Sequence, residues 1–174
     1  MSDKLFKHPA LPISKFKKTT TPKLGERKLS FCFEFCSFKE GHICFNNPQI
    51  ESKYFIKIIE CLKDISRHTI SEIFKRQKEL RFHQIDLKHK PYYLSEIYKK
   101  TINFNENGEQ IPHLWQLEVF TDNKKNIAPR ITFYILRDGV AKIVFYDHHH
   151  LLCSQIYPQD KNVPDNWYAH YYNN

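Results

Sequence analysis

The chain has little glycine. It holds 4 among 174 residues, none arranged as G-x-x-x-x-G-K or G-x-G-x-x-G. Such loops use glycine so that backbone N–H groups can close around a phosphate, so a nucleotide-cradling loop is excluded. No run of about 18 apolar residues occurs, which excludes a transmembrane helix. The opening stretch MSDKLFKHPALPISK lacks the continuous apolar core of a secretory signal. Five cysteines, at 32, 36, 44, 61 and 153, form no C-x-x-C. An odd number, without metal spacing or a secretion signal, reads as free thiols in a reducing cytoplasm.

What is present suits a single folded domain. Hydrophobic residues make up 41% and aromatics 15%, enough to fill a core at this length. The aromatic and β-branched content favours sheet. The net charge is +8, and most of the excess lies early. Lys4, Lys7, Lys15, Lys17, Lys18, Lys23, Arg27 and Lys28 stand against Asp3 and Glu26, a net +6 within residues 1–28. The same segment carries three of the nine prolines and no apolar periodicity, so it reads as an extended basic arm. Such an arm suits a polyanion or an acidic partner; the plainer alternative is a solubilising tail.

Leu29–Phe38 alternates phenylalanine with polar or small residues, the pattern of a half-buried strand. Lys39-Glu40-Gly41 reads as a turn and His42–Phe45 as a returning strand. Ile50, Tyr54, Phe55, Ile58, Ile59, Leu62 and Ile65 recur at helical spacing and predict one long amphipathic helix. Thr69 followed by Glu72 is a capping-box pattern, placing a second helix start near Ile70. Leu80–Leu87 reads as a short strand or ordered loop. Leu94–Lys100 reads as a further short helix and Leu114–Phe120 as a strand.

Arg130–Leu152 is the organising stretch. Two apolar runs flank Asp138-Gly139, the turn pair that a two-residue hairpin favours. That turn would pair Ile135 with Lys142, Phe133 with Val144, Ile131 with Tyr146 and Arg130 with Asp147. Ile131, Phe133, Ile135, Val144 and Tyr146 would share one face, and Tyr134, Leu136, Ile143 and Phe145 the other. The expected fold is therefore α+β. A mainly antiparallel sheet, an N-terminal hairpin plus a C-terminal three-stranded meander, packs on one long and one or two short helices. The expected organisation is a basic arm at 1–28, one domain at 29–152 and an aromatic tail at 153–174 packed on it.

The hairpin delivers His148, His149 and His150 beside an Arg130–Asp147 charge pair. A histidine moves a proton near neutral pH, and an arginine stabilises charge developing on a phosphate. With His83 from Arg81-Phe82-His83, this set could cleave a phosphodiester without metal. The plainer alternative is a structural ion pair and a polar strand end. If the strand persists, Asp147 and His149 share one face, and His148 and His150 the other. A metal site would need His83 or His113 to complete a shell, because adjacent histidines on a strand diverge. No metal and no cofactor is expected. Cys153 lies near the histidines, but a buried inert thiol is the simpler account.

The order Arg81-Phe82-His83, Trp115-Gln116-Leu117, Arg130-Ile131, then Val144-Phe145-Tyr146-Asp147 and His150, resembles a group of small prokaryotic proteins associated with mobile elements and defence. Their C-terminal parts run R-[IV]-x-G-F, then D-x-x-H. Thr132 stands where that pattern has glycine, and Cys153 where it has tyrosine. The resemblance singles out Asp147 and His150 rather than His149. More distantly, a helix followed by an antiparallel meander is similar in architecture to ribonuclease toxins of toxin–antitoxin systems.

Together these give an expectation of a cytoplasmic protein acting on nucleic acid, with a metal-independent endoribonuclease of toxin or defence type as its specific form. His83 and His150 would be acid and base, Arg130 the phosphate clamp and Asp147 the orienting carboxylate. Lys15, Lys17, Lys18, Lys23 and Arg81 would contact RNA or another nucleic acid. A protein partner such as an antitoxin would compete for the arm. The alternative is a non-catalytic module that binds protein or nucleic acid.

Overall fold

The computed structural model describes residues 22–36, 41–48, 50–90, 92–103, 111–125, 127–152 and 168. Its centre is a five-stranded sheet in the order β1-β5-β4-β3-β2. The strands are β1 (Ser30–Cys32), β2 (His83–Ile85), β3 (Leu114–Glu118), β4 (Arg130–Ile135) and β5 (Val140–Asp147). The β2-β3-β4-β5 part is antiparallel, and β1 joins β5 in parallel. Among the described residues four α-helices accompany the sheet: α1 (Ser52–Ile65), α2 (Ile70–Lys75), α3 (Gln77–Leu80) and α4 (Tyr92–Thr101). The fold is α+β, with the meander β3-β4-β5 where the sequence places it.

The first pairing differs from the expected one. Among the described residues, His42–Phe45 form turns rather than a returning strand, while Ser37, Phe38, Lys39 and Glu40 lie outside the described residues. Three residues of the alternating run, Ser30–Cys32, pair with Val140–Lys142 instead. Alternation marks a half-buried strand but carries no information about its partner. Residues 22–28 also belong to the body. Arg27 O accepts from Ile70 N at 2.8 Å, Arg27 Nη1 donates to Asp138 O at 3.0 Å, and Lys28 bridges Thr69. Lys15, Lys17 and Lys18 lie outside the described residues.

Helix α1 lays Ile58, Leu62 and Ile65 on one sheet face, against Leu117, Ile131, Phe133 and Ile143, while its Tyr54 stacks on Phe120. Helix α2 starts as the sequence predicts. Thr69 and Glu72 cap each other reciprocally, with Thr69 N donating to Glu72 Oε2 at 2.7 Å. The opposite face carries Ile85, Leu114, Tyr134, Val144 and Phe145 under Leu94, Ile97 and Tyr98 of α4, with Leu151 and Leu152. Burying one such side chain fully contributes about 1.5–3 kcal/mol, so each face holds its helix by several large contacts.

The central hairpin reaches the predicted end by another route. Leu136 N donates to Val140 O and Gly139 N to Leu136 O, which closes a three-residue loop at 137–139. Gly139 takes φ +90°, the left-handed position such loops require. Ile135 therefore pairs with Ala141 and Phe133 with Ile143. An irregularity between Thr132 and Phe133 then absorbs Val144, restoring Thr132 to Phe145, Ile131 to Tyr146 and Arg130 to Asp147. The shift moves Ile143 to the α1 face and Val144 to the α4 face, the reverse of the two-residue register.

Candidate functional site

Alternation along the strands sets His83, Gln116, Glu118, Thr132, Arg130 and Asp147 on the α4 face. They form two cross-strand rows there. His83 pairs with Gln116 and Gln116 with Thr132; Glu118 pairs with Arg130 and Arg130 with Asp147. Polar residues thus replace the apolar ones of this face where Ile85, Leu114 and Tyr134 give out.

Strand β2 is anchored from the other face. The Phe82 ring stacks on Trp115 at 5.0 Å and lies parallel to Phe133 at 6.1 Å. That leaves His83 exposed at the sheet edge, its Nδ1–H donating to Arg81 O at 3.2 Å. Arg81 adopts φ 44° as it ends α3, and this bend aims its guanidinium at Glu118.

Glu118 is the residue that the sequence does not single out. One oxygen, Oε2, meets Arg130 Nη1 at 2.7 Å and Arg81 Nη1 at 2.8 Å. The other accepts from Thr121 Oγ1 at 2.5 Å. Arg130 Nη1 also donates to Ala128 O at 2.6 Å. The Arg130 side chain is 5% exposed, against 57% for Arg81. Only the three-strand register reveals this cluster, because the residues lie far apart in sequence.

Asp147 faces Arg130 as expected, yet its carboxylate serves the backbone. Oδ1 accepts from Leu151 N at 2.8 Å and Oδ2 from Leu152 N at 2.7 Å, and a further bond comes from the His150 backbone. Complete burial pushes its carboxyl up to about 6, against the lowering pull of those N–H groups and of Arg130. It therefore shapes the turn from Asp147 to Leu152 and sets His150 through the main chain.

That turn revises the expected alternation of the three histidines. Strand β5 ends at Asp147. His148 is buried on the α1 side, its Nδ1 3.1 Å from Tyr146 Oη and its ring 5.6 Å from that of Tyr54. His149 packs edge-on to His148 at 4.9 Å. His150 takes φ +61°, which brings the chain back over the α4 face. Strands β2 and β5 are three spacings apart, about 14 Å, so Asp147 itself is remote from His83. The turn brings His150 within electrostatic range of His83. Burial lowers its imidazole to about 4, helped by the charges of Arg130, His83 and Lys90 and opposed by Glu118. His150 is thus a neutral imidazole at neutral pH, within electrostatic reach of His83 and two fixed cations.

His113 meets Gln84 at 2.8 Å at the sheet edge, away from this cluster. Lys23 is exposed and caps a short turn at Leu24–Glu26. Among the described residues no group of three His, Cys, Asp or Glu side chains is gathered to hold a metal ion, and no helix is long and apolar enough to cross a membrane. In comparisons with known proteins, no family matches the chain, and neither a curated protein nor a solved structure matches it.

Proposed function

We propose that the protein acts on RNA as a metal-independent endoribonuclease of toxin or defence type. The observation that carries this reading is His150: a neutral imidazole that a left-handed turn sets in the electrostatic field of Arg130, Lys90 and His83. In the proposed reaction His150 takes the proton of a ribose 2′-hydroxyl. The oxygen attacks the adjacent phosphorus, and the P–O5′ bond breaks. His83, as the general acid, keeps Nδ1–H on Arg81 O and gives the Nε2 proton to the departing 5′-oxygen. The products are a 2′,3′-cyclic phosphate and a 5′-hydroxyl. Arg81, the exposed member of the arginine pair, and Lys90 meet the phosphate. Arg130, tied to Glu118 and the backbone, contributes its field rather than a direct clamp. The free thiols of Cys32, Cys36 and Cys61 support a reducing, cytoplasmic setting. Burial raises Cys36 to about 12 and Cys61 to about 11, which keeps both inert.

The test is cleavage of an unstructured RNA in the presence of a chelator. His150→Ala and His83→Ala should each lower the rate by about 10²–10⁴ while circular dichroism stays unchanged. Variants as active as the parent would remove the catalytic assignment. A rate abolished by the chelator would remove metal independence. A second reading, a non-catalytic nucleic-acid- or protein-binding module, is favoured by the engagement of Arg130 Nη1 within the protein. It predicts RNA binding without cleavage.

A further inference from the structure

The edge of the sheet remote from His83 holds a feature that the reading above leaves unused. Strand β1 has one strand neighbour, β5, among the described residues. Ser30 N donates to Gly139 O, so Ser30 and Cys32 address β5, while the N–H and C=O of Phe31 point to the outer edge. Between this edge and α1 runs a groove lined mainly by apolar groups, among them Phe31, Phe33 and Ile59. Its charged lining residues are Lys28 and Lys63. Beside it α1 turns Phe55, Ile56 and Ile59 outward at 40%, 64% and 60% exposure.

An exposed strand edge beside exposed large apolar side chains is the surface that proteins otherwise blunt with charge, because it templates pairing with another chain. Among the described residues no strand covers this edge, and the charged groups lining the groove are both lysines. We propose that this groove receives an extended, acidic segment of a partner protein as a sixth strand next to β1. Its alternate apolar side chains would enter the groove against Ile59 and Phe33, and its carboxylates would meet Lys28 and Lys63. Charge argues against two other occupants at hand. Residues 1–21 of the chain carry a net +4, and a second copy carries +8, so both are repelled by the lysine rim; residues 153–174, at net −1, are left to the crosslinking arm of the test. The site lies on the opposite edge from His83, so the proposal stands whether or not RNA is cleaved.

The test uses the full chain and a fluorescent peptide of alternating valine and glutamate, with a valine–lysine peptide as control. The acidic peptide should bind saturably, and the basic one should not. Lys63→Glu and Ile59→Asp, both at exposed positions, should each weaken binding at least about tenfold. Bound peptide should slow hydrogen exchange at the Phe31 amide, and a photo-crosslinker placed at Ile56 should label the peptide. Equal binding of both peptides, or no saturable binding, overturns the proposal. So does crosslinking to the protein's own residues 1–21 or 153–174, or to a second copy, in place of the peptide.

Discussion

Asp147 and His150, three residues apart in one loop turn, titrate against each other. Asp147 is raised from a usual 3.8 to about 6, so the folded protein takes up this proton before the unfolded chain does. Its contribution to stability is greatest below pH 3.8 and is lost as pH rises through 6. His150 is lowered from 6.5 to about 4, which has the opposite sign. Its contribution is present above pH 6.5 and is lost as pH falls through 4. Each displacement corresponds to about 3 kcal/mol at full burial, with the His150 figure reduced because its ring is partly exposed. In the parent the two slopes should largely cancel between pH 4 and 6. Replacing either group should expose the other. The perturbations are Asp147→Asn and His150→Gln, and the measurement is urea unfolding across that range, read as variant minus parent. The difference for Asp147→Asn should rise with pH by up to about 3 kcal/mol. For His150→Gln it should fall. A flat or falling difference for Asp147→Asn would refute a buried carboxyl held near 6 by the turn.

Glu118→Leu should cost about 3–5 kcal/mol, because Arg130 would stay buried without its carboxylate, whereas Arg81→Met should cost under about 1 kcal/mol. Equal shifts in urea midpoint for the two variants would show that Glu118 does not serve Arg130 in particular. Gly139→Ala places a side chain at φ +90°, with its Cβ 3.2 Å from Lys28 O and from Arg27 Cβ. A loss of about 1–3 kcal/mol is expected in thermal unfolding, and an unchanged midpoint would argue against the three-residue loop.

Elements whose signal is local were legible in the sequence. The periodicity of α1, the Thr69–Glu72 box and the Asp138-Gly139 reversal each act within a few residues, so their physics is written in the adjoining chain. The loop length was not legible. Ile143-Val144-Phe145-Tyr146 is apolar throughout, and an unbroken run gives no mark of which residue is supernumerary. The parallel partner of β1 and the Arg81–Glu118–Arg130 cluster depend on which strands become neighbours, which no local pattern records. His150 was singled out by resemblance, but its side of the sheet depends on a left-handed backbone that Asp147 imposes through N–H capture.

The insertion at Val144 makes the ribbon a pair of isomers. A two-residue reversal with no bulge and a three-residue reversal with one use the same number of residues, and both leave Arg130 across from Asp147. The difference between the two forms is thereby confined to the tip. In the register adopted, residues beyond Thr132 differ from the two-residue form by one position, with Ile143 and Val144 exchanged between the faces, while the far end is the same in both. Mutational drift around Arg137 and Asp138 is mechanically insulated from the histidine turn.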